Sequence, residues 1–449
     1  MNFNHLYNDC LHNISLTNDI NNKTILNICY TIYKKYKKQI KFDIILKILK
    51  YNNNFNIKLI RDCEKLFSPI IVPLEYTDID IQFNILLNLP QPEQRTKEWF
   101  EYRYNRITAS DTASAIDQNP YEVVEEFILK KSDPSYKFLD NKNVYHGKKY
   151  EPIATSIYEY IYNNKVQEFG ALPSNKYKLL GASPDGICSK QSLDYQFSPL
   201  IGRMLEIKCV VSRQIYTSGE IIGHICPYYY YCQIQQQLEC CELDKCDFWQ
   251  CKLVEYKNRE DYLGDLCTNT IHTIGTNSEQ IEIDNRLKKG IILKFLPKEW
   301  IPEFDKDSIE WKSKFIYPSN ILLNEEEYDF WVSQELTNWM INYPHIAKTH
   351  YFETIIYWKL ELSHNVTIER DSTFINNILP ILTNTWERVE YYRNNIHKLS
   401  ELKEIIKKRK KYSKINTLFT INIDLIKNNI LFLDSNNNDC IDNENNFID

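Results

Sequence analysis

The 449-residue chain has no apolar run of about 18 residues, which leaves no candidate for a membrane-spanning helix. Its first residues, Met1 to Asp9, form neither a basic stretch nor an apolar one, so no secretory leader is expected. There is no Cys-x-x-Cys among its 13 cysteines, and their odd number argues against a disulfide framework. They read as reduced core thiols of an intracellular protein in a reducing compartment. Six of them, Cys226, Cys232, Cys240, Cys241, Cys246 and Cys251, invite a zinc or iron–sulfur reading. Their spacings match no common ligand pattern, and helix and strand periodicity explains several as core positions. An excess of positive charge is also missing: 54 Lys and Arg stand against 60 Asp and Glu, a formal net charge of −6. The total therefore does not advertise a nucleic-acid partner, although acidic catalytic residues can lie within a locally basic track. No internal repeat is found, and the length allows two or three domains.

What the chain does have is centred on Ser183 to Lys208. Ser-Pro-Asp-Gly at 183–186 is followed by a polar insertion and then by Leu-Glu-Ile-Lys-Cys-Val-Val at 205–211. The second run predicts a buried strand carrying a site on one face. Alternation turns Ile207 to the core and puts Glu206 and Lys208 on the opposite surface. If the segment around Asp185 is the neighbouring antiparallel strand, Asp185 arrives beside Glu206. Two carboxylates that close repel each other unless a cation lies between them, and hard oxygen ligands suit Mg²⁺ or Mn²⁺. Such an ion supports phosphodiester cleavage, with Lys208 stabilising charge on the phosphate or orienting water. A bare Glu-x-Lys would otherwise be an ordinary surface pair; the apolar frame and the upstream Pro-Asp-Gly set this one apart.

Other stretches converge on the same chemistry. Trp99, Tyr102 and Arg103 fall along one side of a helix, and Thr108 or Ser110 is placed to cap a second helix running through Ala113 and Ile116 to Asn119-Pro120. With Arg103 and Arg106 nearby, that helix start is either a phosphate seat or ordinary capping beside surface arginines. Tyr150, Ile153, Ala154, Ile157, Tyr158 and Ile161 predict a well-packed helix with Glu151 in its first turn. Glu151 there either favours the helix dipole or is a third acidic group at the metal. Val166–Leu172 and Lys178–Ala182 read as short strands, Ile187–Arg203 as a surface excursion, and Cys246–Tyr256 as a further strand. The helix after Pro227 carries Tyr230, Gln233 and Gln237 in one row, facing either a phosphate or a packed amide cluster. Segment 403–414 holds seven Lys or Arg against one Glu, either a DNA contact or a solvated helix end.

In order, Trp99-x-x-x-Arg103 with Thr108-Ala109-Ser110, helical Tyr150-Glu151, Ser183-Pro184-Asp185-Gly186, Glu206-Ile207-Lys208-Cys209 and Tyr230-x-x-Gln233 resemble the YqaJ-type viral recombinase family. That family includes the phage lambda exonuclease and belongs to the PD-(D/E)xK nuclease superfamily. The resemblance spans 95 to about 257. It implies an α/β, restriction-endonuclease-like core with a mixed sheet flanked by helices, and a metal-dependent exonuclease acting 5′ to 3′ on duplex DNA ends. It implies that Asp185, Glu206 and the Ile207 carbonyl bind Mg²⁺, with Mn²⁺ able to substitute, and that Lys208 is the catalytic lysine. Glu151 matches the helical acidic residue, Tyr230 and Gln233 the supporting pair, and Arg103 and Ser110 the positions that engage the 5′-phosphate.

Around that core the expected organisation is a mostly helical accessory segment over 1–92, the nuclease core over 93–260, a helix-rich extension over 261–415, and a polar tail over 416–449 that is disordered from Asn436. Expected partners are double-stranded DNA ends and, as an open question, a single-strand annealing protein; no membrane is involved, and self-assembly is left open. Abundant Asn, Ile, Lys and Tyr match AT-rich coding such as that of large DNA viruses, in which case the host cytoplasm or the virion is the expected location. Two alternatives stand beside the exonuclease. One is a structure-specific nuclease of the same superfamily, including the iron–sulfur CRISPR-associated kind; the other is an inactive DNA-end-binding scaffold.

Overall fold

The run Met204–Cys209 is a strand, and most of the architecture follows from what pairs with it. A computed structural model of the chain describes residues 70–92, 96–136, 142–299 and 310–410. The expected helical pattern over 25–49 and the tail from Asn436 lie outside them. In chain order the strands are β1 (Ile107–Thr108), β2 (Val166–Gln167), β3 (Leu172–Pro173), β4 (Leu180–Ala182), β5 (Gly186–Cys188), β6 (Met204–Cys209), β7 (Lys245–Glu255), β8 (Ile271–Ile274), β9 (Glu279–Gln280), β10 (Lys289–Pro297), β11 (Lys314–Ile316) and β12 (His350–Glu369). The helices are α1 (Thr77–Asn88), α2 (Lys97–Tyr104), α3 (Thr112–Ala115), α4 (Val124–Ser132), α5 (Lys142–Ile161), α6 (Tyr228–Cys241), α7 (Arg259–Gly264), α8 (Glu325–Asn342), α9 (Pro344–Thr349) and α10 (Phe374–Asn394). Among the described residues no helix is long and apolar enough to cross a membrane.

The chain divides into two units, one of residues up to Thr112 with Phe138–Asn377, the other of Ala113–Lys137 with residues from Ile378 on. The first holds a large mixed sheet in the order β11-β10-β12-β7-β6-β5-β2, and a small sheet β1-β4-β3. Strand β6 runs parallel to β7 and antiparallel to β5, and β12 is antiparallel to β7. The mixed α/β architecture expected from the sequence is present. Helix α5 covers one face of β6: Leu205 and Ile207 share a core with Tyr150, Ile153, Ala154, Ile157, Tyr158 and Trp249.

Several expectations are corrected in detail. Helix α5 starts at Lys142, so Glu151 lies in its third turn and does not face the helix dipole. The buried face simply continues backward through Tyr145 and Lys149, and Pro152 sits inside the helix rather than at its start. The helix expected from Thr108 or Ser110 through Ile116 is a 3₁₀ turn, Ala109–Asp111, followed by the four-residue α3. Thr108 makes no cap there, because its hydroxyl donates to Asp111 Oδ2 at 2.7 Å. The insertion is more anchored than a surface excursion: it opens as β5, and Arg203 at its end donates to the buried Asp247 carboxylate at 2.7 Å.

The stretch expected as helix-rich, 261–415, does carry α7's successors α8, α9 and α10, yet it also contributes β8 to β12. Strand β12 shows why: Trp358 and Leu360 are buried, while Lys359 pairs with Asp265 and Glu361 with Lys252, an alternation of period two. In the second unit most cations of the basic run are paired among the described residues, and Lys411 and Lys414 lie outside them. Lys403 pairs with Asp133, Arg409 with Asp117 and Glu125, and Lys410 with Glu126.

Two histidines on adjacent strands, His272 in β8 and His364 in β12, are buried. Each engages a hydroxyl through Nδ1, with Ser363 at 3.0 Å and Thr273 at 2.9 Å, and neither Nε2 has a hydrogen-bond partner. Burial pushes both imidazoles down to about 4, with His364 adding to the effect on His272. In the unfolded chain they would titrate near 6.5. Their contribution to stability is therefore complete above about pH 6.5 and is lost as pH falls towards 4, by at most about 1.4 kcal/mol per pH unit for each imidazole. Urea midpoints measured across this range should fall with acid, and the double variant His272→Gln/His364→Gln should show a flatter profile.

Candidate active site

Helix α6 covers the face of β6 that Glu206 and Lys208 share. That face is not solvent: Glu206 has no exposed surface. Its Oε1 accepts from Gln233 Nε2 at 2.7 Å and from the Lys208 ammonium, and its Oε2 accepts from Gln237 Nε2 at 2.8 Å. The row Tyr230, Gln233, Gln237 thus faces the strand as its spacing predicts, and Lys208 Nζ lies 4.6 Å from the centre of the Tyr230 ring. Gln237 belongs to the row but not to the residues that the resemblance assigns; its spacing was the available signal.

Asp185 arrives as expected from the antiparallel neighbour. Gly186 in β5 stands opposite Leu205, and Asp185 Oδ2 accepts the Ile207 N–H at 2.7 Å. The N–H and C=O of one strand residue leave on the same edge, so the Ile207 carbonyl also opens towards Asp185, where β5 has ended. The glycine of Pro-Asp-Gly has a packing cause: a Cβ at Gly186 would lie 2.3 Å from Val166 Cγ1 of β2.

Charge is concentrated here. Burial raises the Asp185 carboxyl well above its usual range, Glu206 and Glu151 raise it further, and Lys208 and the Ile207 N–H oppose them. For Lys208, burial works against the ammonium, but Glu206, Tyr230 and Asp185 outweigh it and push its pKa up. Lys208 is therefore a fixed cation in this arrangement, suited to stabilising negative charge rather than to taking a proton. Glu151, Glu206 and Lys208 thus all act on Asp185.

Among the described residues no group of three or more His, Cys, Asp or Glu is placed to hold a metal ion. A closed cage of side chains is thus not what this site offers. Asp185, Glu206 and the Ile207 carbonyl do form an oxygen set, and beside them the buried Gln237 Oε1 has no hydrogen-bond partner. This fits a hard cation that keeps several waters and takes one or two carboxylates. It does not fit a soft-metal cluster: the described cysteines are free, and burial pushes the thiols of Cys232 and Cys241 up to about 12.

Arg103 and Ser110 also meet. Arg103 Nη2 donates to Ser110 Oγ at 3.0 Å, and its guanidinium lies 4.5 Å from the centre of the Trp99 ring. Arg106 instead stacks on Tyr102 at 4.1 Å. Trp99 Nε1 donates to Ser183 Oγ at 3.2 Å, which links α2 to the segment leading into Asp185. Sequence reasoning missed that link, as well as Arg213, whose Nη2 donates to the buried Gln250 Oε1 at 2.6 Å on the strand beside Lys208.

Comparison with known proteins covers the segment that carries this site. Residues 98–244 match the family model described as the YqaJ-like viral recombinase domain. This segment is similar to that domain. It contains Arg103, Ser110, Glu151, Asp185, Glu206, Ile207, Lys208, Tyr230 and Gln233. An uncharacterized protein of Acanthamoeba polyphaga mimivirus is 34% identical over 354 residues, 79% of this chain. The chain spans 63% of the length of that relative. Among solved structures, an alkaline exonuclease from Laribacter hongkongensis aligns over 68% of this chain and 98% of its own, at 14% identity and a TM-score of 0.33. The same exonuclease in complex with dAMP aligns over 68% of this chain and 100% of its own, at 15% identity and a TM-score of 0.33.

Gln237→Leu removes a hydrogen bond to a buried carboxylate and should lower stability by about 1.5–3 kcal/mol in urea unfolding. In a Glu206→Gln background the loss should shrink, since the charge that makes the bond strong is gone.

Proposed function

We propose that the chain is a divalent-metal-dependent nuclease that degrades duplex DNA from its ends in the 5′→3′ direction. The observation that carries this reading is the meeting of Asp185, Glu206 and Lys208 on one edge of β6, with Glu206 fully buried. Buried carboxylates that repel each other are costly, and a scaffold would gain nothing from keeping them. The YqaJ-like domain supports the same reading.

Mg²⁺ or Mn²⁺ held by Asp185, Glu206 and the Ile207 carbonyl, with Glu151 acting through water, would supply Lewis-acid activation of the phosphodiester and of the attacking water. The chain's own residues do the rest. Lys208 Nζ places a positive charge against the oxygens of the scissile phosphate, where negative charge grows as the bond breaks. Gln233 and Gln237 hold Glu206 in one rotamer, and the Tyr230 ring limits where the ammonium can move. Arg103 and Ser110 take the 5′-terminal phosphate, for which a guanidinium and a hydroxyl within hydrogen-bond reach of each other are suited.

Resection of this kind leaves a 3′ single strand, so a single-strand annealing protein is the natural partner in recombination or repair. The mimivirus relative supports a viral setting, with the host cytoplasm or the virion as the place of action.

The test is digestion of linear duplex DNA with Mg²⁺, using 5′- or 3′-labelled strands with phosphorylated or hydroxyl 5′ ends. Nucleotides should be released from the 5′ side, faster from phosphorylated ends. Lys208→Ala should lower the rate by about 10²- to 10³-fold. Asp185→Asn should abolish cleavage and also the rise in melting temperature that Mg²⁺ gives the wild type, while end binding persists. Intact linear DNA with folded wild-type protein and either metal would favour the end-binding scaffold, and cutting of closed circles would favour a structure-specific endonuclease.

A further inference from the structure

Helix α6 carries three consecutive glutamines, Gln235, Gln236 and Gln237, none more than 1% exposed. Successive residues on a helix point about 100° apart, so the three amides serve three different directions. Gln237 holds Glu206. Gln235 turns to the far end of β12, donating to the Glu369 carbonyl at 2.8 Å and accepting the Asp371 N–H at 2.7 Å.

Gln236 does something different. Its Nε2 donates to the carbonyls of Ile107 at 2.9 Å and Gly181 at 3.0 Å, and its Oε1 accepts from Thr112 Oγ1 at 2.7 Å. Ile107 and Gly181 lie in β1 and β4, which run parallel with Ile107 opposite Leu180 and Thr108 opposite Gly181. Strand β1 leads directly to Ser110, and β4 leads directly to Ser183 and Asp185. One amide therefore pins both strands at the points where they deliver the residues proposed for the end phosphate and for the metal. The same helix, one and three residues away, holds Glu206 through Gln237 and Gln233.

We infer that Gln236 is the positioning residue that sets the end-phosphate seat at Arg103 and Ser110 relative to the cleavage centre at Asp185, Glu206 and Lys208, so that cleavage depends on a 5′-phosphorylated end. The inference rests on the exonuclease reading above. A seated phosphate accelerates cleavage only if it places the scissile bond correctly, and a misplacement of about 1 Å can cost about 10²-fold. Loosening β1 and β4 from α6 uncouples the two sites without removing a group from either.

The experiment uses the full chain with Mg²⁺ and two linear duplexes that differ only in a 5′-phosphate or 5′-hydroxyl, and reads the ratio of initial rates. Gln236→Met keeps the length of the side chain and removes its three hydrogen bonds. Gln235→Met, equally buried on the same helix, controls for general loosening of α6. The ratio should fall towards parity in Gln236→Met and keep its wild-type value in Gln235→Met. Thr112→Val breaks the same link from its other end and should lower the ratio in the same direction, which keeps the test decisive if Gln236→Met does not fold. A wild-type ratio in Gln236→Met and Thr112→Val, with both rates scaled down together, overturns the inference and leaves the exonuclease standing. An equal loss of preference in Gln235→Met overturns it as well. Wild-type protein that leaves linear duplex intact, or digests both ends alike, overturns the exonuclease or its phosphate seat, and the inference falls with them.

Discussion

A carboxylate without exposed surface has to be surrounded by donors, and Glu206 is that carboxylate. Its oxygens are met by two amides from one helix and by the ammonium two residues along its own strand. This requirement fixes a good deal of the fold. Helix α6 must run across β6 with one glutamine row facing the strand, and β6 must keep its register against β5 and β7. A one-residue slip would bury Ile207 among the amides and turn both charges into the apolar core under α5. The core on that side is held by a second buried carboxylate, Asp247, which accepts from Arg203, Tyr158 and Thr367 and so ties the end of the insertion to the sheet.

Because α6 is held so firmly by Glu206, it can serve as a reference for other parts of the unit. Gln235 fixes the end of β12, and Gln236 fixes β1 and β4. The side chains that do this are neutral, and that choice has an electrostatic reason. Lysines or arginines in their place would neutralise Glu206 outright. Amides satisfy its lone pairs without adding charge beyond the Lys208 ammonium.

The parts of the site that could be read from the sequence are those governed by a short period. Alternation gave Glu206 and Lys208 a common face, and the spacing of Tyr230, Gln233 and Gln237 gave the row that meets them. Asp185 followed from the antiparallel pairing of two nearby strands. What could not be read depends on distant partners or on competing local bonds. Thr108 looks like a cap, but Asp111 three residues on takes its hydroxyl. Pro152 looks like a helix start, yet Tyr145 and Lys149 extend the buried face ahead of it. Strand β12 hides its alternation among aromatic residues whose outward neighbours find ion pairs only in the folded chain. Gln236 is indistinguishable from its neighbours until β1 and β4 are brought to it.

The balance of charge at the site gives the proposed cation its physical basis. Glu206 and Glu151 act on Asp185 with negative charge, the Lys208 ammonium acts against them, and the amides add no charge. Without further compensation, burial and the neighbouring carboxylates push the Asp185 carboxyl up. A divalent cation beside Asp185 and Glu206 would relieve their mutual repulsion. Lys208 would keep its own proton throughout, since its ammonium is stabilised by the same carboxylates. The same surroundings thus act in opposite senses on the two groups: they disfavour charge on the Asp185 carboxylate and favour it on the Lys208 ammonium.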